Sequence, residues 1–209
     1  MTDIDLNGWF WFVLVTVLLI RGLDLVATWL NLRSLHPEVP TEMADEFDPE
    51  KYAQSQAYTR ASARFGVIET ALSMAVFFVF WLIGGFGWLD GIVRSWGLGM
   101  IVSGLLYVSL LFLGNYVVSL PLELYDTFVL EEKFGFNRTT SGTWIADQGK
   151  SLGLGALLGL PLLALVLWIF ATLPMAWFWG WLALTLVTLA LTYVAPTWIM
   201  PLFNKFEPL

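Results

Sequence analysis

Long apolar runs, broken by polar or aromatic-rich connections, are the dominant pattern along this chain. A bilayer core of ~30 Å takes about 20 apolar residues to cross as helix. The runs predict spans over about 9–32, 65–86, 97–120, 151–173 and 175–199. Only the turn at Leu173-Pro174 parts the last two, so they should form a helical hairpin. No alternation of apolar and polar positions suggests a barrel, and isolated strands cannot cross lipid with unpaired backbone groups. The pattern predicts an all-α integral membrane fold of five transmembrane helices, with a helical elbow after the third.

The polar connections are informative in themselves. Segment 33–64 begins acidic, with Glu38, Glu42, Asp45, Glu46, Asp48 and Glu50, and is broken by Pro37, Pro40 and Pro49. A helix is predicted to start near Asp48-Pro49, with Asp as cap and Pro at the first helical position. "PEKYAQSQAYTRASARF" then leads into span two. After span three, Pro121 lacks an amide proton and kinks a helix without necessarily ending it. Leu124, Phe128 and Val129 continue an apolar helical stripe, while Glu123, Asp126, Glu131 and Glu132 are polar. Gly135 is the expected C-terminal cap, and Lys133 in the last turn suits the helix dipole.

Charge placement sets a predicted orientation. Arg33, Lys51, Arg60, Arg64, Lys133, Arg138, Lys150 and Lys205 fall on one side of the five spans. Arg94 alone falls on the other, and Arg21 lies within span one. A basic excess marks cytoplasmic loops, which puts the N-terminus outside and the C-terminus in the cytoplasm. Trp9, Trp11, Trp88, Trp96, Trp177, Trp179 and Trp181 fall near the predicted outer boundary, as an aromatic belt should. "MTDIDLNGWFWF" holds no Lys or Arg, so the basic n-region of a secretory signal is missing and span one is expected to be retained. The expected host membrane is a bacterial inner membrane.

Composition narrows the function classes. The 209 residues are 58% hydrophobic and only 13% charged, against about 25% charged in soluble domains. A net charge of −7 argues against nucleic acid as a partner. There is no cysteine, which excludes disulfides and thiolate metal sites, and the single histidine, His36, sits in a loop before Pro37. A lone loop histidine is a poor zinc ligand, because such sites draw on clustered His, Cys or carboxylates.

Polar residues inside the spans mark candidate positions. Arg21 and Asp24 lie three apart in span one and so share a helix face. An Arg at mid-bilayer costs about 2.5–3.5 kcal/mol on insertion scales, so it faces a partner or a wet cavity. Two readings stand: a self-neutralised pair buried between helices, or the lining of an aqueous chamber. Asn31, Glu69 and Asn115 add polar groups at other depths, and a position of Glu69 near the cytoplasmic interface is the plainer alternative for it. In the elbow, Glu131 and Glu132 are adjacent, and neighbouring helix positions diverge by about 100°, so they do not make a shared site alone. Asn137-Arg138-Thr139 matches a glycosylation sequon formally, but a cytoplasmic location would make the match idle.

"LPLELYDTFVLEEKFGFNRTT" resembles the segment after the third span of the CAAX prenyl protease family, integral-membrane zinc metalloendopeptidases. The matching positions are Leu120, Pro121, Tyr125, Thr127, Phe128, Val129, Leu130, Glu131, Glu132, Lys133, Gly135, Phe136 and Asn137. "YAQSQAYTRASARFG" is similar to the family's approach to span two, and "PLFNKFEPL" to its stretch before a cytoplasmic catalytic domain. The resemblance implies a seven-helix protease whose helices enclose a water-filled chamber, with zinc at its cytoplasmic side. Such enzymes trim three C-terminal residues from prenylated CAAX proteins or cut other membrane-associated substrates. The elbow would then support the catalytic domain and the chamber mouth.

The family holds its zinc by His-Glu-x-x-His plus a distal Glu, with the motif's Glu as general base. One histidine cannot supply that motif, so no zinc and no catalytic residue are assigned to this chain, although the complete family protein needs the metal. Residues 1–209 are expected to be a single N-terminal membrane domain, with the catalytic domain after 209. The partners expected are the bilayer, that catalytic domain, and a prenylated or membrane-associated peptide. The alternatives are a non-enzymatic scaffold or lipid- or peptide-binding module, and an assembly partner for a separately encoded catalytic chain.

Overall fold

The computed structural model describes residues 6–39 and 48–202. Glu42, Asp45, Glu46 and Lys205, and the closing block from residue 203, lie outside the described residues. The described elements are helical: α1 (Gly8–Ser34), α2 (Pro49–Leu82), α3 (Gly85–Ser95), α4 (Met100–Tyr125), α5 (Ser141–Thr172) and α6 (Ala176–Val194). A π-helical turn, Asp126–Glu131, extends α4, and another, Ala195–Ile199, extends α6. Five of these segments are long and apolar enough to cross a membrane: Gly8–Ser34, Pro49–Leu82, Met100–Glu131, Ser141–Thr172 and Ala176–Ile199.

Local chemistry explains the helix starts. Asn7 accepts from the Phe10 amide at 3.0 Å, satisfying one of the free donors of α1's first turn. Asp48 caps α2 through the Glu50 amide, with Pro49 at the first helical position as the sequence predicts. Thr140 caps α5 by accepting from the Thr143 amide. That cap starts α5 ten residues before the predicted span, because the polar stretch 141–150 is helical too. Span two ends earlier than predicted, at Leu82, and α3 follows as an element the pattern did not suggest. Its 11 residues make a helix of about 17 Å, too short to cross.

The chain divides into two compact units, one of Met1–Ile92 with Leu113–Arg138, the other of Val93–Phe112 with Thr139–Leu209. In the first, α1 and α2 run antiparallel. Phe10 meets Trp81 at a ring distance of 4.8 Å at one end, and Arg60 donates to the Leu35 carbonyl at 3.1 Å at the other. The end of α4 and its π turn also run antiparallel to α2, since Tyr125 faces Phe65 while Phe136 faces Tyr58. In the second unit α5 and α6 form the predicted hairpin, turned at Met175 in a left-handed conformation (φ 54°). Gly104 of α4 lets α5 approach closely: a Cβ there would lie 2.8 Å from a Leu167 methyl.

Among the described residues, side chains deep in protein are few: Phe10, Val93, Leu130 and Ile169 are the buried hydrophobics. Most apolar side chains of the spans are instead exposed, as lipid-facing residues must be.

Candidate functional site

The conspicuous polar structure is the junction of α2 with the end of α4. Pro121 stays inside α4, and the chain remains helical past it. It then widens into the π turn at Asp126–Glu131. Such turns are rare and often sit at functional sites. Tyr125 packs on Phe65 at 4.9 Å, and five residues on Leu130 is buried, 8% exposed. That five-residue spacing is a π spacing, where an α-helix would return after three or four. Of the predicted apolar stripe, Leu124 and Val129 are 40% and 48% exposed and Phe128 is half-buried.

The elbow ends as the sequence predicts. Gly135 is left-handed (φ 72°). The Phe136 amide donates to the Glu131 carbonyl at 3.0 Å, and the Gly135 amide to the Glu132 carbonyl at 3.0 Å. These paired bonds satisfy carbonyls that a helix end leaves open. Asn137 Nδ2 donates to Glu132 at 3.2 Å, so the sequon's asparagine braces the turn.

Receiving residues on α2 complete the joint. Gln54 Nε2 donates to the Phe134 carbonyl at 2.7 Å. Tyr58 packs against Phe134 at 5.6 Å and Phe136 at 4.7 Å. Gln54 and Tyr58 carry no assignment from the sequence alone. The signal was present: Gln54, Tyr58 and Phe65 stand four and then seven apart, on one helix face. Tyr58, seven residues before the predicted start of span two, is held above the ordinary tyrosine pKa. Burial is the largest cause, the charges of Glu131 and Asp126 add to it, and a hydrogen bond with Ser62 opposes it. One oxygen of Asp126 is buried without a hydrogen-bond partner among the described residues. Glu69, half-buried on α2, lies within electrostatic reach of Asp126 and Glu123.

The other polar positions separate. Arg21 and Asp24 do pair, at 3.6 Å, but their side chains are 48% and 59% exposed, so the pair is not buried between helices of this chain. Asn31, seven residues after Asp24, returns to nearly the same face of α1. Asn31 and Asn115 are exposed, and among the described residues their side chains bond neither each other nor the Arg21–Asp24 pair.

Zinc does not fit what is on view. Among the described residues no three His, Cys, Asp or Glu side chains converge as a metal site. The Glu131 charge acts on Tyr58 while Glu132 accepts from Asn137, and adjacent helix positions diverge. No step through a metal is therefore assigned to these residues.

Comparison with known proteins places the fold. The chain is 37% identical to CAAX prenyl protease 1 of Saccharomyces cerevisiae over 82% of its own length and 40% of that protein's. It is 31% identical to the human CAAX prenyl protease 1 homolog over 82% of itself and 38% of the homolog. It superposes on the crystal structure of Ste24p from S. mikatae with a TM-score of 0.76 and 34% identity, covering 87% of this chain and 44% of that one. The chain thus spans about two fifths of the length of these relatives. The family described as CAAX prenyl protease N-terminal, five membrane helices, matches residues 28–205. With its five spans, the elbow motif and these likenesses in agreement, the chain belongs to the CAAX prenyl protease N-terminal family.

Proposed function

We propose that residues 1–209 form the membrane-chamber portion of a CAAX-type zinc metalloendopeptidase and act in proteolysis only with a catalytic domain placed after residue 209. The observation that carries this reading is the superposition on Ste24p, which takes up most of this chain and under half of the other. The complete protein would cleave prenylated or other membrane-associated substrates, with zinc held outside these residues. Arg21, Asp24, Asn31, Glu69 and Asn115 are the proposed chamber lining. An exposed Arg–Asp pair deep in a span supports water beside it, because lipid there is costly for either charge. The basic loops support a cytoplasmic position for the polar ends of α1 and α2 and for the elbow. The relatives named above are eukaryotic, so a bacterial inner membrane rests on the sequence expectation alone.

In this reading the elbow, Pro121 to Asn137, braces the catalytic domain. Replacing Glu131 by Gln or Asn137 by Ala in the complete protein should lower cleavage of a prenylated peptide about tenfold or more through misplacement, with zinc content unchanged. Normal cleavage by both variants would refute the bracing role. A second reading, a non-enzymatic lipid- or peptide-binding module, draws on the same intramembrane polar residues. A reading frame that runs past Leu209 without His-Glu-x-x-His would favour it.

A further inference from the structure

Three arginines stand near the predicted membrane boundary of α1 and α2. Arg33 lies one residue beyond the predicted end of span one, and Arg64 one residue before the predicted start of span two. Arg60 stands one helical turn from Arg64 on the same face of α2. Its Nη2 donates to the Leu35 carbonyl at 3.1 Å, which brings its guanidinium to the end of α1, close in sequence to Arg33. The two helix ends are thereby held at one level. Arg33 stacks over the ring of Trp29, 3.8 Å from its centroid, and Trp rings favour the headgroup level.

None of the three arginines makes an ion pair with a carboxylate among the described residues, although the chain is acidic overall. The carbonyl end of α1 carries about half a negative charge. Arg60 spends one donor there, and a guanidinium has five N–H groups in a planar fork, so others are left over among the described residues. Among the described residues the cluster is therefore a positive edge without a carboxylate partner, built from the side chain best matched to phosphate oxygens.

We propose that Arg33, Arg60 and Arg64 bind the phosphate of an anionic phospholipid at the α1–α2 edge. The lipid's phosphate would take the free guanidinium donors, and its acyl chains would lie on the exposed apolar flanks of the two helices. Phosphate is the recognised group, and the membrane position selects a lipid over a soluble anion, because a headgroup is confined to this depth. This inference stands apart from the protease reading: it needs only the described ends of two helices.

The test uses the purified 209-residue chain in uncharged detergent, titrated with phosphatidylglycerol, phosphatidylcholine or inorganic phosphate. Retention is read by native mass spectrometry and by the shift in thermal midpoint. Phosphatidylglycerol should bind more tightly than phosphatidylcholine. R60Q/R64Q should weaken it about twentyfold and R33Q about fivefold, from the usual attraction per basic residue near an anionic surface. R138Q, which removes a charge elsewhere, should leave binding within about twofold of the wild type, and R60K/R64K within about threefold. Unchanged helical circular dichroism guards against misfolding of the Gln pair. Equal binding of both lipids, equal loss in R138Q, or loss in the Lys pair as deep as in the Gln pair would overturn the proposal. So would inorganic phosphate saturating the protein at the same concentration, which would mark a soluble-anion site instead.

Discussion

At the scale of single residues, Tyr58 couples packing to charge. Its ring is wedged against Phe134 and Phe136, while its hydroxyl feels Glu131 and Asp126. A tyrosine whose folded pKa is raised contributes stability fully present below the unfolded value, about 10, and lost as pH rises through the folded value. Stability of the wild type should therefore fall on the alkaline side, as midpoints measured across pH 8 to about 11 would show. Tyr58→Phe should keep the packing and flatten that fall. Gln54 makes a simpler case: Gln54→Ala removes one exposed side-chain bond to Phe134 and should cost about 0.5–1.5 kcal/mol. Gly135→Ala forces a Cβ into the left-handed region and should cost about 1–2 kcal/mol. The cap at Gly135 was legible in the sequence because only the local backbone decides it. The partners of Gln54 and Tyr58 were not, since those contacts close loops of 76 to 80 residues.

At the scale of elements, the π turn changes what the elbow presents. A regular α-helix from Tyr125 onward would repeat its face at residues 128 and 129, whereas with the π turn the buried residue is Leu130. The binary pattern could not reveal this, since Leu124, Phe128, Val129 and Leu130 are all apolar and any of them could face a neighbour. A close approach joins α4 to α5 at Gly104. Gly104→Val should cost about 1–3 kcal/mol by overpacking, and adding Leu167→Ala should recover part of it. A double-mutant cycle on detergent-solubilised protein measures that coupling, and simple additivity would show that the two positions do not touch. Helix α3 went unread for a related reason. Its glycines, Gly85, Gly87 and Gly91, look like loop punctuation, whereas Phe86 packs on Phe77 and Phe80 and holds the segment helical.

At the scale of the whole molecule, the question is which faces see water and on which side of the membrane. The chain has no cysteine, so each introduced cysteine is a unique reporter. If Arg21, Asp24 and Asn31 line a hydrated interior, cysteines there should react with a membrane-impermeant maleimide far faster than cysteines at Leu19, Leu23 or Leu30. Equal, slow labelling at all six would assign that face of α1 to lipid or protein. Cysteines at Lys51 and Lys150 should label from the cytoplasmic side and one at Asp90 from the outer side. The reverse pattern would invert the proposed orientation.

Span number, helical class, the Asp48 and Gly135 boundaries and the α5–α6 hairpin follow from sequence alone, because hydropathy over about 20 residues and local backbone preference decide them. The family motif was equally plain in the elbow, since its residues are contiguous. Only the tertiary structure decided that the elbow widens into a π turn, that Leu130 rather than Val129 is buried, and that Gln54 and Tyr58 receive it. It also decided that the Arg21–Asp24 pair forms but stays exposed. These outcomes depend on which distant side chain fills the space opposite, and an apolar stripe on a membrane helix is as ready to face lipid as protein.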